Sequence, residues 1–195
     1  MMKRVAVFCG SSGGARPAYA DTTRALGAEL VRRGLGLVYG GGSVGLMGVL
    51  ADAVLAQGGE VIGVIPEPLA ARELAHLHLT ELRVVASMHE RKATMASLVD
   101  GFITLPGGLG TLEETLEILT WAQLGIHRKP VGVLNIAGYY DGLLRMLSHA
   151  VREGFVRPDY FALLLFGDTP EEMLDRFAAW QPPVLPRAWL APSQT

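Results

Sequence analysis

The stretch "GFITLPGGLGTLEETLEILTW", residues 101–121, joins a short apolar run to a helical pattern through a turn rich in glycine. The run at residues 101–106 combines β-branched and aromatic side chains, which is typical of a buried strand. Residues 111–125 carry leucine and isoleucine at helical spacing. The stretch therefore predicts a strand, a tight turn and a helix, which is the repeating unit of an α/β fold.

The same unit recurs along the chain. Strand-like segments that are apolar on both faces lie at residues 4–10, 35–41, 60–66, 82–87, 101–106 and 130–136. Helical patterns lie at residues 17–33, 44–57, 89–99, 111–125 and 139–153, followed by a strand near Leu163 and a helix over 170–180. Strands that are apolar on both faces indicate a parallel sheet covered by helices on both sides. We therefore predict an α/β, Rossmann-like doubly wound sheet in one domain over residues 1–180, with a proline-rich tail at 181–195.

Composition narrows the class of protein. With 195 residues, 50% hydrophobic and 18% charged, the chain is long and apolar enough to bury one good core. Its net charge of −2 gives no general attraction to nucleic acid or to an acidic membrane surface. No apolar stretch is long enough to span a bilayer, and the first one is too short for a signal peptide. The single cysteine, Cys9, fits a reducing compartment, so we expect a cytoplasmic protein.

Three of the predicted strands end in turns of small residues: "CGSS" at 9–12, "GGGSVGLMG" at 40–48 and "PGGLGT" at 106–111. The carboxyl ends of parallel strands share one edge of a sheet, where ligands of doubly wound folds bind. Glycine lets backbone N–H groups approach a phosphate without obstruction by a Cβ atom. Any single turn could be a tight strand-to-helix connection that binds no ligand. Three such turns on one edge indicate a nucleotide-sized anionic ligand.

The second turn leaves a dinucleotide site open as an alternative. Gly40, Gly42 and Gly45 match G-x-G-x-x-G, and Glu67 follows at the offset of a ribose-binding acid. The match falls on the second strand rather than the first, which weakens it. A Walker A loop is excluded, because no glycine turn is followed by Gly-Lys-Ser/Thr.

Adjacent cations, Arg91 and Lys92, open the helix that follows the fourth strand. They could form a solvated basic pair, which is the common fate of neighbouring charges. Cations at a helix start oppose the helix dipole, however, and a bound phosphate would explain the arrangement. Both interpretations stay open on the residues alone.

Carboxylates are concentrated at the start of the helix that follows the fifth strand. Thr111 and Glu114 have the spacing of a capping box, which would make Glu114 structural. Glu113 and Glu117, one turn apart, could line a solvated face, and Thr120 could bond a carbonyl of its own helix. The alternative is that a carboxylate here performs chemistry beside a phosphate held on the glycines.

Histidine and cysteine do not indicate a metal site. His76 and His78 alternate as on an extended segment, but no further ligand set accompanies them. Cys9 is interpreted as a small buried residue rather than a nucleophile. These residues therefore do not indicate a bound metal.

Two motifs carry a resemblance to a known family. Residues 106–114 fit P-G-G-x-G-T-x-x-E and residues 88–95 fit M-H-x-R-K-x-x-M. With the other two glycine turns in the same order, the chain resembles the LONELY GUY family of cytokinin riboside 5′-monophosphate phosphoribohydrolases, formerly labelled lysine decarboxylases. The likeness runs from Val5 to about Phe177.

The resemblance implies a Rossmann-like homodimer without metal or redox cofactor. It implies hydrolysis of the N-glycosidic bond of AMP-like or N6-modified adenosine 5′-monophosphates, giving the free base and ribose 5-phosphate. The substrate is thus a nucleoside monophosphate, with neither nucleic acid nor membrane as partner. Two alternatives from other classes are a non-catalytic nucleotide or molybdenum-cofactor carrier and an NAD(P)-dependent oxidoreductase.

Carried over position by position, the family's catalytic pair falls on Arg91 and Glu114. Its substrate-binding positions fall on Glu73, Arg91, Lys92, Gly108, Leu109, Gly110, Thr111, Leu112, Glu113, Glu114 and Thr120. We expect further contacts from Ser11, Gly41, Gly42, Met88 and Gly107. In this interpretation the glycines and Thr111 hold the 5′-phosphate, and Glu114 stabilises the positive charge that develops on the ribose.

Overall fold

The computed structural model describes residues 2–70 and 75–183. Seven strands form one sheet in which every neighbouring pair is parallel, in the order β4-β3-β2-β1-β5-β6-β7. The strands are β1 (Arg4–Phe8), β2 (Gly36–Tyr39), β3 (Val61–Pro66), β4 (Glu81–Val85), β5 (Gly101–Thr104), β6 (Val131–Leu134) and β7 (Leu164–Gly167). The predicted doubly wound α/β sheet is confirmed. Glu73 and most of the predicted tail, residues 184–195, lie outside the described residues.

Helices alternate with the strands as the sequence predicts. They are α1 (Pro17–Arg32), α2 (Gly45–Leu55), α3 (Glu67–Leu69), α4 (Met88–Leu98), α5 (Leu109–Leu124), α6 (Asp141–Arg152), α7 (Pro158–Phe161) and α8 (Pro170–Ala178). The short α3 and α7 were not predicted, because one turn of helix leaves no periodic pattern. The helix predicted over roughly 139–153 is observed as α6, which begins two residues later, at Asp141. A 3-10 turn at Ile136–Gly138 comes first, and its left-handed residues Ala137 (φ 53°) and Gly138 (φ 73°) cannot continue an α-helix.

Two hydrophobic layers hold the helices to the sheet. Leu30 of α1, Leu50 of α2 and Phe177 of α8 pack on one face. Met95 of α4 and Ile118 of α5 pack on the other, where α6 contributes partly buried leucines. Strand β1 lies at the centre between β2 and β5, and its alternate side chains enter opposite layers.

The edge strand β4 differs from the prediction of strands covered on both faces. Leu82 is 36% exposed and Val84 is 55% exposed. An edge strand has a neighbour on one side only, and the helices centred over the sheet leave much of its surface open. Apolar composition alone does not distinguish such a strand from a central one. Within the described ranges, no helix is both long and apolar enough to cross a membrane.

Candidate active site

The sheet reverses its winding between β1 and β5. From β1 the chain builds outward through β2, β3 and β4, then returns to place β5, β6 and β7 on the other side. Such a switch point opens a crevice at the carboxyl ends of the two central strands. A cavity of about 270 Å³ lies there, lined by Gly10, Ser11, Ser12, Gly14, Tyr19, Leu46, Pro106, Gly107, Gly108 and Tyr139.

The glycine turns after β1, β2 and β5 form one continuous surface, as predicted. The N–H of Gly10 donates to the carbonyl of Pro106 at 3.0 Å, which joins the first turn to the third. The N–H of Leu46 donates to the carbonyl of Gly10 at 3.0 Å, which joins the second turn to the first. A Cβ atom on Gly45 would overlap the backbone of Ser11 and Ser12. Glycine is required here because the backbones approach too closely for any side chain.

Helix α5 begins earlier than predicted, and the capping box is absent. The helix starts at Leu109 with Gly108 in an extended conformation at the N-cap, and no side chain caps it. Thr111 is therefore the third helical residue and is 4% exposed. The flexible glycine turn sets the start of the helix, so the spacing of Thr111 and Glu114 wrongly predicted a capping box. Glu114 is left free of a capping role and directs its carboxylate elsewhere.

That carboxylate meets Arg91, so both residues of the implied catalytic pair come together. Arg91 Nη1 donates to Glu114 Oε1 at 2.9 Å, and Arg91 Nε donates to the carbonyl of Val64 at 3.0 Å. Arg91 is 9% exposed and Glu114 is 7% exposed. A Cβ atom on Gly40 would overlap Arg91 Nη2, so the second glycine turn makes room for the guanidinium.

Burial sets the protonation chemistry of Glu114. Loss of water around the carboxyl raises its pKa, and the nearby Arg91 charge only partly opposes this. Cys9, next to the first turn, is fully enclosed, and burial raises the pKa of its thiol. The thiol is thus an un-ionised packing group, as predicted, whereas the raised pKa of the Glu114 carboxyl makes its carboxylate a stronger proton acceptor than an exposed one.

Lys92 is engaged by two carboxylates of α5. Its Nζ lies 2.7 Å from Glu113 Oε1 and 2.8 Å from Glu117 Oε2, and Lys92 is 6% exposed. Burial lowers the pKa of Lys92, but these two partners outweigh that effect and leave the pKa raised. The alternative of a solvated basic pair is wrong for Lys92, whereas the alternative of a solvated acidic face holds in part, because the Glu113 side chain is 55% exposed and the Glu117 side chain 25%. Charges on α4 and α5 meet across the helix pair, an arrangement that neither helix reveals alone.

Other predicted site residues are distributed unevenly. Ser11, Gly107 and Gly108 line the cavity. Leu109 is 86% exposed at the start of α5, and Met88 is 42% exposed at the start of α4.

The second turn is covered by the segment that follows the undescribed residues. The carbonyl of Gly41 accepts from the N–H of His76 at 2.9 Å, and Gly42 forms a bridge with Ala75. Glu73 lies outside the described residues, so its position relative to this turn stays a prediction. Glu67, the acid of the dinucleotide alternative, is exposed at the start of α3.

Thr120 lies away from the cavity. Its hydroxyl donates to the carbonyl of Leu116 at 2.7 Å, as the helix-bonding alternative predicts. It follows Glu114 by six residues, about 9 Å along the helix. Gly110 is exposed and Leu112 packs partly buried against the sheet. In the described part of the chain, no group of three or more His, Cys, Asp or Glu residues could hold a metal ion.

Tyr139 is a cavity residue that the sequence analysis missed. Its hydroxyl donates to the carbonyl of Gly107 at 2.5 Å, and its ring packs edge-on against Tyr19 with centroids 5.8 Å apart. In a trans peptide the carbonyl and the next N–H point in opposite directions. The bond therefore also fixes the direction of the Gly108 N–H, in a Gly–Gly peptide that would otherwise reorient easily. The available signal was an aromatic residue close after β6, at the same sheet edge.

Comparisons with known proteins give two kinds of likeness. A family model described as "Possible lysine decarboxylase" matches residues 47–177. A cytokinin riboside 5′-monophosphate phosphoribohydrolase of Arabidopsis thaliana is 51% identical over 180 residues, covering 92% of this chain and 83% of the relative. A probable enzyme of the same name from Oryza sativa subsp. japonica is 52% identical over 180 residues, covering 92% and 74%.

Solved structures match the fold at lower identity. A molybdenum cofactor binding protein from Rippkaea orientalis aligns with a TM-score of 0.70 and 22% identity, covering 92% of this chain and 97% of that one. The molybdenum cofactor carrier protein of Chlamydomonas reinhardtii aligns with a TM-score of 0.68 and 17% identity, covering 92% and 100%. At these identities the likeness describes the fold alone.

Proposed function

The chain belongs to the family of cytokinin riboside 5′-monophosphate phosphoribohydrolases, and on this premise we propose that it hydrolyses the N-glycosidic bond of adenosine 5′-monophosphates, plain or N6-modified. The products are the free base and ribose 5-phosphate. The single observation that carries the proposal is the buried pair of Arg91 and Glu114, joined at 2.9 Å beside glycine turns that border a cavity.

The cavity suits the phosphate end of such a substrate. Its walls are backbone-rich turns at Gly10, Gly107 and Gly108, and helix α5 starts directly behind Gly108 without a side-chain cap. Uncapped N–H groups and the helix dipole favour an anion at this position. Glu114 follows Gly108 by six residues, about 9 Å along the helix. This distance is comparable to the length of the phosphate and ribose of a nucleotide. The 5′-phosphate thus anchors the ribose within reach of the carboxylate.

The reaction needs a group that stabilises positive charge at the sugar. As the C1′–N9 bond breaks, the electron pair leaves with the base and C1′ gains oxocarbenium character. The Glu114 carboxylate stabilises that charge and accepts a proton from the water whose oxygen bonds to C1′. Arg91 holds Glu114 in position and donates hydrogen bonds toward the departing base. The base takes up one proton from solvent as it leaves, and Glu114 returns the proton of the attacking water to solvent, so one water is consumed in total.

A decarboxylase function is not favoured by the site. Lysine decarboxylation through pyridoxal phosphate requires a lysine amine that can form a Schiff base. Lys92 is the lysine at this site, and its raised pKa and two carboxylate partners hold it as an ammonium ion. The amine is therefore a poor nucleophile.

The direct experiment is incubation of the protein with AMP, N6-isopentenyladenosine monophosphate and adenosine, followed by chromatography of the products. We expect free base from both monophosphates and much slower release from adenosine, because adenosine lacks the anchoring phosphate. The relative rates on the two monophosphates establish the preferred base. Tight binding of AMP without turnover would refute the proposal and favour a nucleotide carrier.

We also propose that the protein is a homodimer and that Glu73, Lys92, Thr120 and the segment 108–114 contribute to the substrate site. Thr120 is exposed and lies away from the cavity of its own chain, so it would serve the site from across an interface. Leu116, on the same helix, is 38% exposed, and such apolar surface favours association. Sedimentation at micromolar concentration tests the dimer, and a fully active monomer would contradict it.

The protein is further proposed to act in the cytoplasm. Its one cysteine, Cys9, is a buried free thiol, which suits a compartment where thiols remain reduced. Fractionation of cells with an antibody to the protein would test this location.

A further inference from the structure

The charged residues at the candidate site do not supply a cation for a phosphate group. Arg91 is paired with Glu114, and Lys92 is paired with both Glu113 and Glu117. Two cations thus face three carboxylates, which leaves a formal charge of about −1. A phosphate monoester carries about −1.5 to −2 at neutral pH. Backbone N–H groups alone would have to hold this dianion unless another cation borders the cavity.

Two connections place Arg16 near the cavity. It lies in the segment between Gly14 and Tyr19, both of which line the cavity, and it directly precedes α1. Arg16 Nη1 donates to the carbonyl of Ala137 at 3.2 Å. Ala137 is two residues before Tyr139, which lines the same cavity. The guanidinium is therefore tied to the turn that leads into Tyr139.

The guanidinium of Arg16 retains most of its binding capacity. One of its five N–H donors is used in the bond to Ala137, and the residue is exposed. In the described part of the chain no ion pair engages Arg16, whereas Arg24 on the same helix pairs with Asp21 at 2.9 Å. An arginine without a carboxylate partner beside a backbone-lined cavity is suited to bind a phosphate oxygen pair.

The backbone conformation of the turn at Ala137 indicates that Arg16 is held in place for a function. Ala137 adopts a left-handed conformation, φ 53° and ψ 31°, which is strained for a residue other than glycine. This conformation directs the carbonyl of Ala137 to Arg16. The strained turn thereby ties the cation to the segment that leads into Tyr139, a residue that lines the cavity.

We propose that Arg16 binds the 5′-phosphate of the substrate and is the cation that neutralises it. The inference rests on the proposed function and assigns the phosphate contact to Arg16 rather than to Lys92. The side chain binds substrate at the rim, while Arg91 and Glu114 act at the sugar.

The test compares Arg16→Gln with Arg24→Gln. Each variant removes one positive charge from the same region, but Arg24 lies farther along α1 and is exposed. Ribose 5-phosphate and adenine are titrated separately into each protein, and KM for AMP is measured in parallel. We expect Arg16→Gln to weaken ribose 5-phosphate binding roughly 10- to 100-fold, the range for a charged hydrogen bond. Adenine binding should not change, and Arg24→Gln should behave as wild type.

Arg16→Lys separates the contribution of the positive charge from that of the guanidinium geometry. It keeps the positive charge but loses the planar fork, so affinity for ribose 5-phosphate should recover only partly. Equal weakening of ribose 5-phosphate and adenine in Arg16→Gln would overturn the inference, because it would show that Arg16 only braces the Ala137 turn. Unchanged ribose 5-phosphate affinity would overturn it as well. Because binding is measured directly, a wild-type protein that fails to cleave AMP would refute the proposed function without deciding the role of Arg16.

Discussion

Replacing Glu114 by glutamine separates catalysis from folding at the candidate site. Glutamine has the same shape as glutamate, and its Oε1 can still accept the 2.9 Å hydrogen bond from Arg91. It cannot accept a proton from water or carry the negative charge that opposes an oxocarbenium ion. We therefore expect a folded protein with little turnover.

The cost in stability follows from the surroundings of Glu114. The substitution replaces an ion pair by a hydrogen bond from the charged Arg91 guanidinium to a neutral amide oxygen, a loss of about 1–2 kcal/mol. Arg91 keeps its bond to the carbonyl of Val64, so its guanidinium is not stranded. Removing a buried negative charge also relieves its desolvation, which offsets part of the loss. The melting temperature should fall by roughly 2–8 °C.

The catalytic effect should be much larger than the effect on stability. Loss of a general base at a positioned site lowers the rate roughly 10²- to 10⁴-fold. A domain with stability of about 5–15 kcal/mol remains almost fully folded after losing 1–2 kcal/mol. The lost rate can thus not be explained by unfolding.

The assay is release of free base from AMP, measured with a thermal melt on the same preparation. Glu117→Gln is the matched control, because it makes the same change one turn along α5 and leaves Lys92 its bond to Glu113. The control should retain activity within about threefold, since this carboxylate contacts neither Arg91 nor the cavity. A Glu114→Gln rate within about tenfold of wild type would refute the assignment of Glu114 as the base.

Three further predictions concern protonation, the glycine turn and the space around the guanidinium. Burial raises the pKa of Glu114, so the acidic limb of kcat/KM should have a midpoint above pH 4.5, and a pH profile with a midpoint at or below that value would contradict it. Tyr139→Phe removes the bond to the Gly107 carbonyl but keeps the ring; KM for AMP should rise roughly fivefold with little change in kcat, whereas a drop in kcat alone would argue against a binding role. Gly40→Ala places a methyl group where Arg91 Nη2 lies, and the displaced guanidinium should lower kcat/KM roughly 100-fold; wild-type kinetics would show that the guanidinium moves without consequence.

Much of the fold could be predicted because its signals are local. Strands β1, β2 and β5 are short apolar runs that end in glycine, and the intervening helices have a clear period. Runs that are apolar on both faces indicate a parallel sheet, and parallel strands place their turns on one edge. Three glycine turns were therefore expected to meet, and the bonds from Gly10 to Pro106 and from Leu46 to Gly10 join them.

The candidate site was predicted in part through the family motifs. The residues alone left Glu114 between a cap and a catalytic base, and the resemblance favoured the base. The extended backbone of Gly108 starts α5 two residues before Thr111 and removes the capping box, while the role of base stays a proposal. Helix starts in glycine turns are set by backbone geometry that the sequence leaves open.

The sequence by itself determined which elements form and which edge of the sheet carries the small-residue turns, because periodicity and glycine act over a few neighbouring residues. Only the tertiary structure decided the partners of the charges. Arg91 and Glu114 are 23 residues apart in the sequence, and Gly107 and Tyr139 are 32 residues apart. No local sequence pattern links either pair. These contacts depend on how α4 and the turn after β6 are placed against α5, and that placement is fixed by packing of both hydrophobic layers across the sheet.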